Sequence, residues 1–319
     1  MMTRPASSTL VVLALLSFSS AFADLRMRTY GSKPYVEFIP AVVSGTADAP
    51  ERYRVLLPFT IAGLSNGVGL SLANAWHLVR FISFVAAYVL MFAYLRRWFS
   101  ETASLFGTTL VAATLPLTFT NSWAHPDHIA ELALFTAGCA AIAANRVWAL
   151  AAILAVATLN RETAIFLVPL YLVTASSVRE RLIAAGLLAA EWAGIFVALR
   201  VWRGFVGYDY FQAQRNLQFL KLLPSAYDPY YRIYAYFAIV LFGGLLLVAA
   251  GASGPRPLFI SRALLVVPLF CVVAFSISSI IESRIFTPLY PLIMPAVMFG
   301  CRAFDNDGRY RSHAGENRE

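Results

Sequence analysis

The sequence predicts an all-α polytopic membrane protein, a transmembrane bundle of about ten helices with juxtamembrane helices on the outer face. Hydrophobic residues make up 59% of the 319 residues, and charged residues only 13%. The mean hydropathy is +0.67, and a soluble domain of this size has too small a core to bury so much apolar surface. The apolar residues also form repeated blocks separated by short charged clusters. Lipid is therefore the expected solvent for most of the chain.

The first apolar block has two interpretations. Arg4, an apolar run and Ala21-Phe22-Ala23 form the pattern of a secretory signal with a small-residue cleavage site. The same residues, 1–23, also fit a first transmembrane helix. We expect the helix to be retained, because a protein that stays in the membrane needs an N-terminal anchor. Asp24 lies on the outer side in either case.

The remaining blocks predict an outer loop at 24–74, a helical bundle at 75–303 with a second long outer loop at 201–232, and a cytoplasmic tail at 304–319. Residues 35–44 in the first outer loop have helical character and are expected at the membrane interface. With the first helix included, the predicted spans are residues 7–23, 75–95, 104–121, 129–145, 147–159, 164–177, 183–200, 233–251, 263–281 and 285–303.

Charge distribution orients these spans. Each inner connection is basic, as the positive-inside rule requires, so both termini are expected in the cytoplasm of a bacterium, with the protein in its inner (cytoplasmic) membrane. Residues 147–177 are the difficult segment, because two short helices or one tilted helix fit there. Two helices are favoured, since one helix would bury Arg161 and Glu162 together near its middle.

About half of the 25 basic residues fall on the predicted outer face. They are scattered along the chain and do not form one patch, so a nucleic-acid partner is not indicated. One interpretation is an anionic ligand held at the outer face. The other is that long outer loops carry ordinary solvated arginines, because long loops escape the positive-inside rule.

The densest polar cluster runs from residue 122 to residue 131 and includes His125, Asp127, His128 and Glu131. Two imidazoles beside a carboxylate are compatible with a divalent metal ion, but a complete metal site needs further ligands, and none is predicted. Asp127 alone suits a general base or hydrogen-bonding group. It equally suits the N-terminal cap of the helix that follows.

Two segments carry a family resemblance: Asn160-Arg161-Glu162-Thr163-Ala164-Ile165-Phe166-Leu167-Val168-Pro169-Leu170, and Glu282-Ser283-Arg284-Ile285-Phe286-Thr287-Pro288-Leu289-Tyr290-Pro291-Leu292. They resemble bacterial integral-membrane glycosyltransferases of the GT-C class. The strip Glu51-Arg52-Tyr53-Arg54-Val55-Leu56-Leu57-Pro58 resembles a segment that follows the first outer loop in small members of that class.

The resemblance implies transfer of a sugar from a polyprenyl-phosphate donor, within the membrane lipid, to an envelope glycan, lipid or protein acceptor. It implies catalytic roles for Asp24 and Asp127, which occupy the positions of outer-loop acids in that class. The donor phosphate would be bound by arginines, and acids and histidines would support the site. The phosphate-binding arginines would be Arg161, Arg284 and Arg54. The supporting residues would be Glu162, Glu282, His125 and His128.

The chain also departs from the GT-C pattern. Asp24 is followed by Leu25-Arg26, so the paired acids of better-known members are missing. A transporter or flippase for an anionic lipid or lipid-linked sugar is therefore an alternative, and a non-catalytic envelope-assembly subunit is another. A purely structural role for the arginines also remains open, with Arg161 paired to Glu162 and Arg284 paired to Glu282.

Overall fold

The computed structural model of the chain describes residues 5–27, 34–119, 127–174, 178–207, 211–220, 229–251, 256–280 and 282–301. Within these ranges the secondary structure is helical, and no strand occurs. The predicted all-α class is confirmed for this part of the chain.

The α-helices of the first half are α1 (Ser7–Met27), α2 (Pro34–Ser44), α3 (Leu56–Val68), α4 (Leu72–Leu95), α5 (Glu101–Thr114), α6 (Asp127–Ala143) and α7 (Val147–Asn160). Those of the second half are α8 (Leu167–Thr174), α9 (Val178–Arg203), α10 (Ala213–Phe219), α11 (Pro229–Gly251), α12 (Leu258–Ala263), α13 (Val266–Ile277) and α14 (Leu289–Gly300). Four short 3-10 helices are also described, at Glu51–Tyr53, Leu115–Thr118, Glu162–Phe166 and Ser283–Phe286.

Among the described helices, four segments are long and apolar enough to cross a membrane: Ser7–Arg26, Leu72–Leu95, Arg179–Arg203 and Leu258–Ile277, the last of which contains both α12 and α13. Several shorter helices are equally apolar. Length and composition together support a membrane protein.

Each predicted span overlaps a described helix, with three informative differences. Residues 147–177 do not form one continuous helix, because Arg161 is extended (φ −157°, ψ 144°) and ends α7. The predicted span 263–281 begins earlier, at Leu258, and is interrupted between α12 and α13. Helix α3 lies inside the predicted outer loop. It forms because Leu57 and Ile61, one turn apart, are both buried.

Helix α4 is at the centre of the bundle and packs against α1, α3, α5 and α6. Its buried face carries large side chains, including Trp76, Phe84, Tyr88 and Met91. Ser71 caps its start, where the hydroxyl accepts a hydrogen bond from the Asn74 backbone N–H at 3.2 Å. The bundle is therefore organised around one helix whose side chains are closely surrounded by its neighbours.

The helix ends meet in two groups. At the first, which we call the Arg97 end, Arg97 Nη2 donates to the Ala143 carbonyl at 2.6 Å, and the Ala6 N–H donates to Glu101 Oε1 at 2.8 Å. At the second, the Arg54 end, the Tyr53 hydroxyl donates to the Gly204 carbonyl at 3.0 Å. Helix α6 runs from Asp127 at the Arg54 end to Ala143 at the Arg97 end.

Candidate functional site

Three chain connections bring buried arginines together at the Arg54 end. Arg54 follows one 3-10 helix, Arg161 separates α7 from the next, and Arg284 lies in the 3-10 helix before α14. Their side chains are 10%, 4% and 2% exposed. A buried guanidinium needs an anion and satisfied hydrogen bonds, so the surroundings of these three side chains decide what the site can do.

Arg54 is held by a fork to Glu162. Arg54 Nη2 donates to Glu162 Oε1 at 3.0 Å, and Arg54 Nε donates to Glu162 Oε2 at 3.4 Å. The third nitrogen, Nη1, lies 3.5 Å from Asp127 Oδ2 and 3.8 Å from Glu51 Oε1. Burial alone would lower the pKa of Arg54, but the charges of these acids raise it well above the ordinary arginine value. Arg54 therefore keeps its charge.

Arg161 contacts a different acid most closely. Its Nη1 donates to Glu131 Oε2 at 2.6 Å, and the Thr163 hydroxyl donates to the other oxygen of Glu131. Arg161 Nε is 3.2 Å from Asp127 Oδ2, but this nitrogen makes no hydrogen bond within the described residues. Its attraction to Asp127 is therefore electrostatic and lacks hydrogen-bond geometry.

Asp127 receives the weaker contacts of both arginines, and both of them reach the same oxygen, Oδ2. The residue begins α6 and precedes the predicted span 129–145. Burial would raise the pKa of Asp127, but the charges of Arg161, Arg54 and Arg284 outweigh burial and lower it to about 2. A carboxylate with so low a pKa is a weak base while the arginines face it.

Arg284 has the least complete set of partners. Its Nη2 donates to Glu282 Oε2, whereas Nε and Nη1 have no hydrogen-bond partner among the described residues. Both nitrogens are buried, and a buried polar donor without a partner costs stability. Such donors are expected where a ligand supplies the missing acceptors.

A cavity of about 540 Å³ opens beside the three arginines. This volume falls in the range of roughly 300–1,000 Å³ typical of small-molecule sites. The Ser279 hydroxyl is another lining group that is buried without a hydrogen-bond partner in the described ranges. Polar and charged side chains dominate the wall, which comprises Asp48, Ala49, Pro50, Glu51, Arg54, Arg161, Val206, Gly207, Gln212, Arg215, Ser278, Ser279, Glu282, Arg284 and Ile285.

The structure thus brings together most of the predicted site residues. The three predicted phosphate-binding arginines line the cavity, Glu282 lines it with them, and Asp127 and Glu162 contact Arg54. His128 is buried in α6, with its ring centroid 6.1 Å from that of Phe119, and is not part of the cavity lining. His125 lies outside the described residues.

The structure places Asp24 apart from the arginine cluster, which consists of Arg54, Arg161, Arg284 and the acids that contact them. Arg80 Nη2 donates to Asp24 Oδ1 at 2.8 Å, and Arg80 Nε donates to Asp24 Oδ2 at 3.2 Å, with both side chains buried. Asp24 is not among the residues that line the cavity. The Asp24–Arg80 pair joins α1 to α4, so the two predicted catalytic acids have different surroundings.

Several residues that contact the arginine cluster, line the cavity or pair with Asp24 are not among the predicted site residues. Glu131 lies four positions after Asp127, and this spacing places the two side chains on one face of α6. Arg80 lies inside the predicted span 75–95, where a cation signals a buried acidic partner. No comparable sequence signal marks Thr163 or Ser279, because each depends on which segments pack together.

The described residues contain no group of three or more His, Cys, Asp or Glu side chains placed to hold a metal ion. The acids of the cluster instead contact arginines. For Glu131, Glu162 and Asp127 the partners are close enough to account for their positions without a metal.

Comparisons with protein-family models, with curated proteins and with solved structures returned no match. The similarity to GT-C glycosyltransferases therefore stays a prediction from the residues. The function is argued below from the cavity, its three buried arginines and its unpartnered donors, since a fold alone does not specify a function.

Proposed function

We propose that the cavity binds the phosphate of a polyprenyl-phosphate-linked sugar, and that the protein transfers this sugar to an envelope glycan, lipid or protein. The observation that carries the proposal is Arg284, whose Nε and Nη1 are buried and unpartnered on the cavity wall among the described residues. Phosphate oxygens are strong acceptors for guanidinium donors, so a phosphate would satisfy both nitrogens.

The rest of the wall suits a sugar. Ser279 supplies a buried hydroxyl, Gln212 an amide, and Asp48 and Glu51 supply carboxylates that can accept hydrogen bonds from sugar hydroxyls. A wall that carries both arginines and groups able to bind hydroxyls suits a ligand that has both a phosphate and a sugar. The polar lining agrees poorly with a purely apolar ligand.

The transfer step follows from these groups. The acceptor oxygen bonds to the anomeric carbon, the bond from that carbon to the phosphate oxygen breaks, and the acceptor proton passes to a carboxylate. Polyprenyl phosphate leaves with its negative charge facing Arg161 and Arg284, which stabilise it. Asp127 is the proposed proton acceptor. It contacts two of the arginines that line the cavity but does not line the cavity itself, so one water molecule is proposed to carry the proton to it.

We further propose that the chain crosses the bacterial cytoplasmic membrane ten times, with both termini in the cytoplasm and the Arg54 end on the outer face. The alternation of helix ends supports this topology. Chain positions 6, 97, 101 and 143 meet at the Arg97 end, whereas Arg54, Asp127 and Arg161 meet at the other. The shorter apolar helices would then cross together with the four long ones.

The transfer proposal is tested with membranes that contain the protein and a lipid-linked sugar labelled in the sugar. Wild-type protein should release polyprenyl phosphate, and Arg284→Lys should lower the rate by about 10²-fold, because lysine provides only a point charge. Arg161→Lys should act in the same direction. Arg146→Lys is the matched control, because Arg146 precedes α7 at the opposite end of the helix from Arg161. Wild-type rates in both Arg284→Lys and Arg161→Lys would contradict the proposal.

A flippase for an anionic lipid is the second candidate, and the Asp24–Arg80 pair favours it. That pair places two buried charges between α1 and α4, which belong to the segments long and apolar enough to cross a membrane, and a polar path would need such charges. The same assay separates the candidates. A flippase would move the labelled lipid across the membrane with the bond between sugar and phosphate intact, whereas a transferase would break it.

A further inference from the structure

Asp127 does not line the cavity but contacts two arginines that do. Arg54 and Arg161 both contact its Oδ2, and both line the cavity, whereas Asp127 itself is not part of the lining. A ligand in the cavity therefore reaches the arginines, and through them it changes the surroundings of Asp127.

Of the three carboxylates that the described residues place within 3.5 Å of these two arginines, Asp127 is held least firmly. Arg54 gives its shortest bond, 3.0 Å, to Glu162, and Arg161 gives its shortest, 2.6 Å, to Glu131. Asp127 receives only the 3.5 Å contact from Arg54 and the electrostatic contact from Arg161. An anion that attracts these guanidinium groups would weaken the contacts to Asp127 first.

Charge balance gives an independent reason. Among the described residues, five carboxylates lie within 4.0 Å of the three buried arginines, namely Asp127, Glu131, Glu162, Glu282 and Glu51. An anion adds negative charge to a set in which acids already outnumber arginines. A buried carboxylate that loses its cationic partner becomes more stable in the protonated form. In the described part of the chain, further charged or titratable groups near the cluster are His128 on α6 and Asp48 and Arg215 on the cavity wall.

We propose that an anion bound in this cavity converts Asp127 from an ion-paired carboxylate into a proton acceptor, so that each anion is bound together with about one proton. This inference rests on the proposed anion site. In the transfer reaction it couples donor binding to the acceptor's proton: when the acceptor is already bound, Asp127 takes the acceptor's proton as the donor phosphate binds. Without an acceptor, the proton comes from the buffer.

The test uses the full-length protein in detergent and dimethyl phosphate, a phosphodiester monoanion with no titratable group near neutral pH. The dissociation constant is measured from ligand-dependent thermal stabilisation at pH 6, 7 and 8. If one proton is taken up per anion, a rise in pH opposes binding, and the affinity should weaken by up to about tenfold per pH unit. Calorimetry in two buffers of different ionisation enthalpy counts the protons directly.

Variants locate the proton. Asp127→Asn should bind dimethyl phosphate more tightly than wild type and without dependence on pH, because its arginines no longer face a competing carboxylate. Glu191→Gln removes a carboxylate of α9 outside the cavity lining and should keep the wild-type pH dependence.

The outcomes separate this inference from the function on which it rests. Binding that is independent of pH in the wild-type protein would overturn proton uptake and leave the anion site intact. Failure of the wild type to bind the anion would overturn both. If the pH dependence survives in Asp127→Asn and disappears in Glu131→Gln, the assignment to Asp127 is wrong. The wild-type measurement decides the main point even where a variant does not fold.

Discussion

Arg80 and Arg284 are each 2% exposed, yet they satisfy their guanidinium groups differently. Arg80 donates one hydrogen bond to each carboxylate oxygen of Asp24. Arg284 reaches Glu282 through one nitrogen, and its Nε and Nη1 lack partners within the described part of the chain. The two bonds of Arg80 offset much of the free-energy cost of burying its charge, whereas the single bond of Arg284 does not. Two arginines with equal burial should therefore contribute differently to stability and to binding.

Replacing each arginine by methionine tests this difference. Arg80→Met leaves the Asp24 carboxylate buried without its cation and should destabilise the protein by about 3–5 kcal/mol. Arg284→Met removes unpartnered donors, and the remaining Glu282 side chain is 26% exposed and can be hydrated. The thermal midpoint of the Arg284→Met protein should equal or exceed that of the wild type, and dimethyl phosphate should no longer stabilise this variant.

Thermal unfolding of both variants in the same detergent, with and without dimethyl phosphate, provides the measurement. Arg80→Met serves as the control for removal of a buried guanidinium. A drop in the midpoint of Arg284→Met as large as that of Arg80→Met would show that Arg284 is a structural residue, and the phosphate site would have to lie elsewhere.

At the scale of the elements, the cavity depends on how separate segments are joined. The Tyr53 hydroxyl donates to the Gly204 carbonyl and accepts from the Val206 N–H, both at 3.0 Å. Arg203 Nη1 donates to the Val43 carbonyl at 3.2 Å at the end of α2. These bonds fix the segment after α2 against the end of α9. Glu51 and Val206, which both line the cavity, are therefore held by side chains outside its wall.

The cavity also depends on the close approach of helices, for which Gly138 is an example. A Cβ atom at Gly138 in α6 would lie 2.7 Å from Cδ1 and Cδ2 of Leu167, a fully buried residue at the start of α8. Gly138→Ala should therefore displace the buried Leu167 side chain and destabilise the protein by ~1–3 kcal/mol. Because α6 carries Asp127 and Glu131 and α8 follows Arg161, anion binding should weaken as well.

Gly186→Ala is the matched control for this prediction. Gly186 is also within a helix, α9, and a Cβ atom there would meet nothing within 4 Å. Alanine at this position should stabilise the helix by ~0.5–1 kcal/mol, because it lowers the entropy of the unfolded chain. Thermal unfolding of the two variants gives the comparison. Equal midpoints for Gly138→Ala and Gly186→Ala would show that α6 and α8 have room to adjust.

For the whole molecule, the sequence predicts much of the helix pattern, because long apolar blocks and short charged connections have few alternative structures in lipid. Helix α3 escapes prediction because its signal is the burial of Leu57 and Ile61 against other helices, and such burial depends on tertiary packing. The meeting of Arg161 with Arg284 follows from their positions at helix ends on one side.

The partners of the arginines are harder to predict than their convergence. Sequence proximity suggests that Arg161 pairs with Glu162. In the structure Arg161 contacts Glu131 and Asp127 from α6, and Glu162 contacts Arg54. Arg161 is extended and its closest acidic contacts come from α6, so the pairing depends on how α6 and α7 pack. Arg284 does keep the partner that proximity predicts, Glu282.

The proposed topology makes a prediction for the whole chain. Thr46 lies near the Arg54 end and Asn145 near the Arg97 end, and both are exposed, so each suits a single cysteine in a protein whose three natural cysteines are replaced. Because basic inner loops orient the helices, Cys at Thr46 should react with an impermeant thiol reagent in intact cells. Cys at Asn145 should react only after the membrane is opened.

Detergent-solubilised protein controls for chemical reactivity, since both sites should label there. The reverse pattern in intact cells would place the cavity on the cytoplasmic side, and an outer-face sugar transfer would then be wrong. Labelling of both sites in intact cells would show that α6 does not cross the membrane, because α6 joins the two ends.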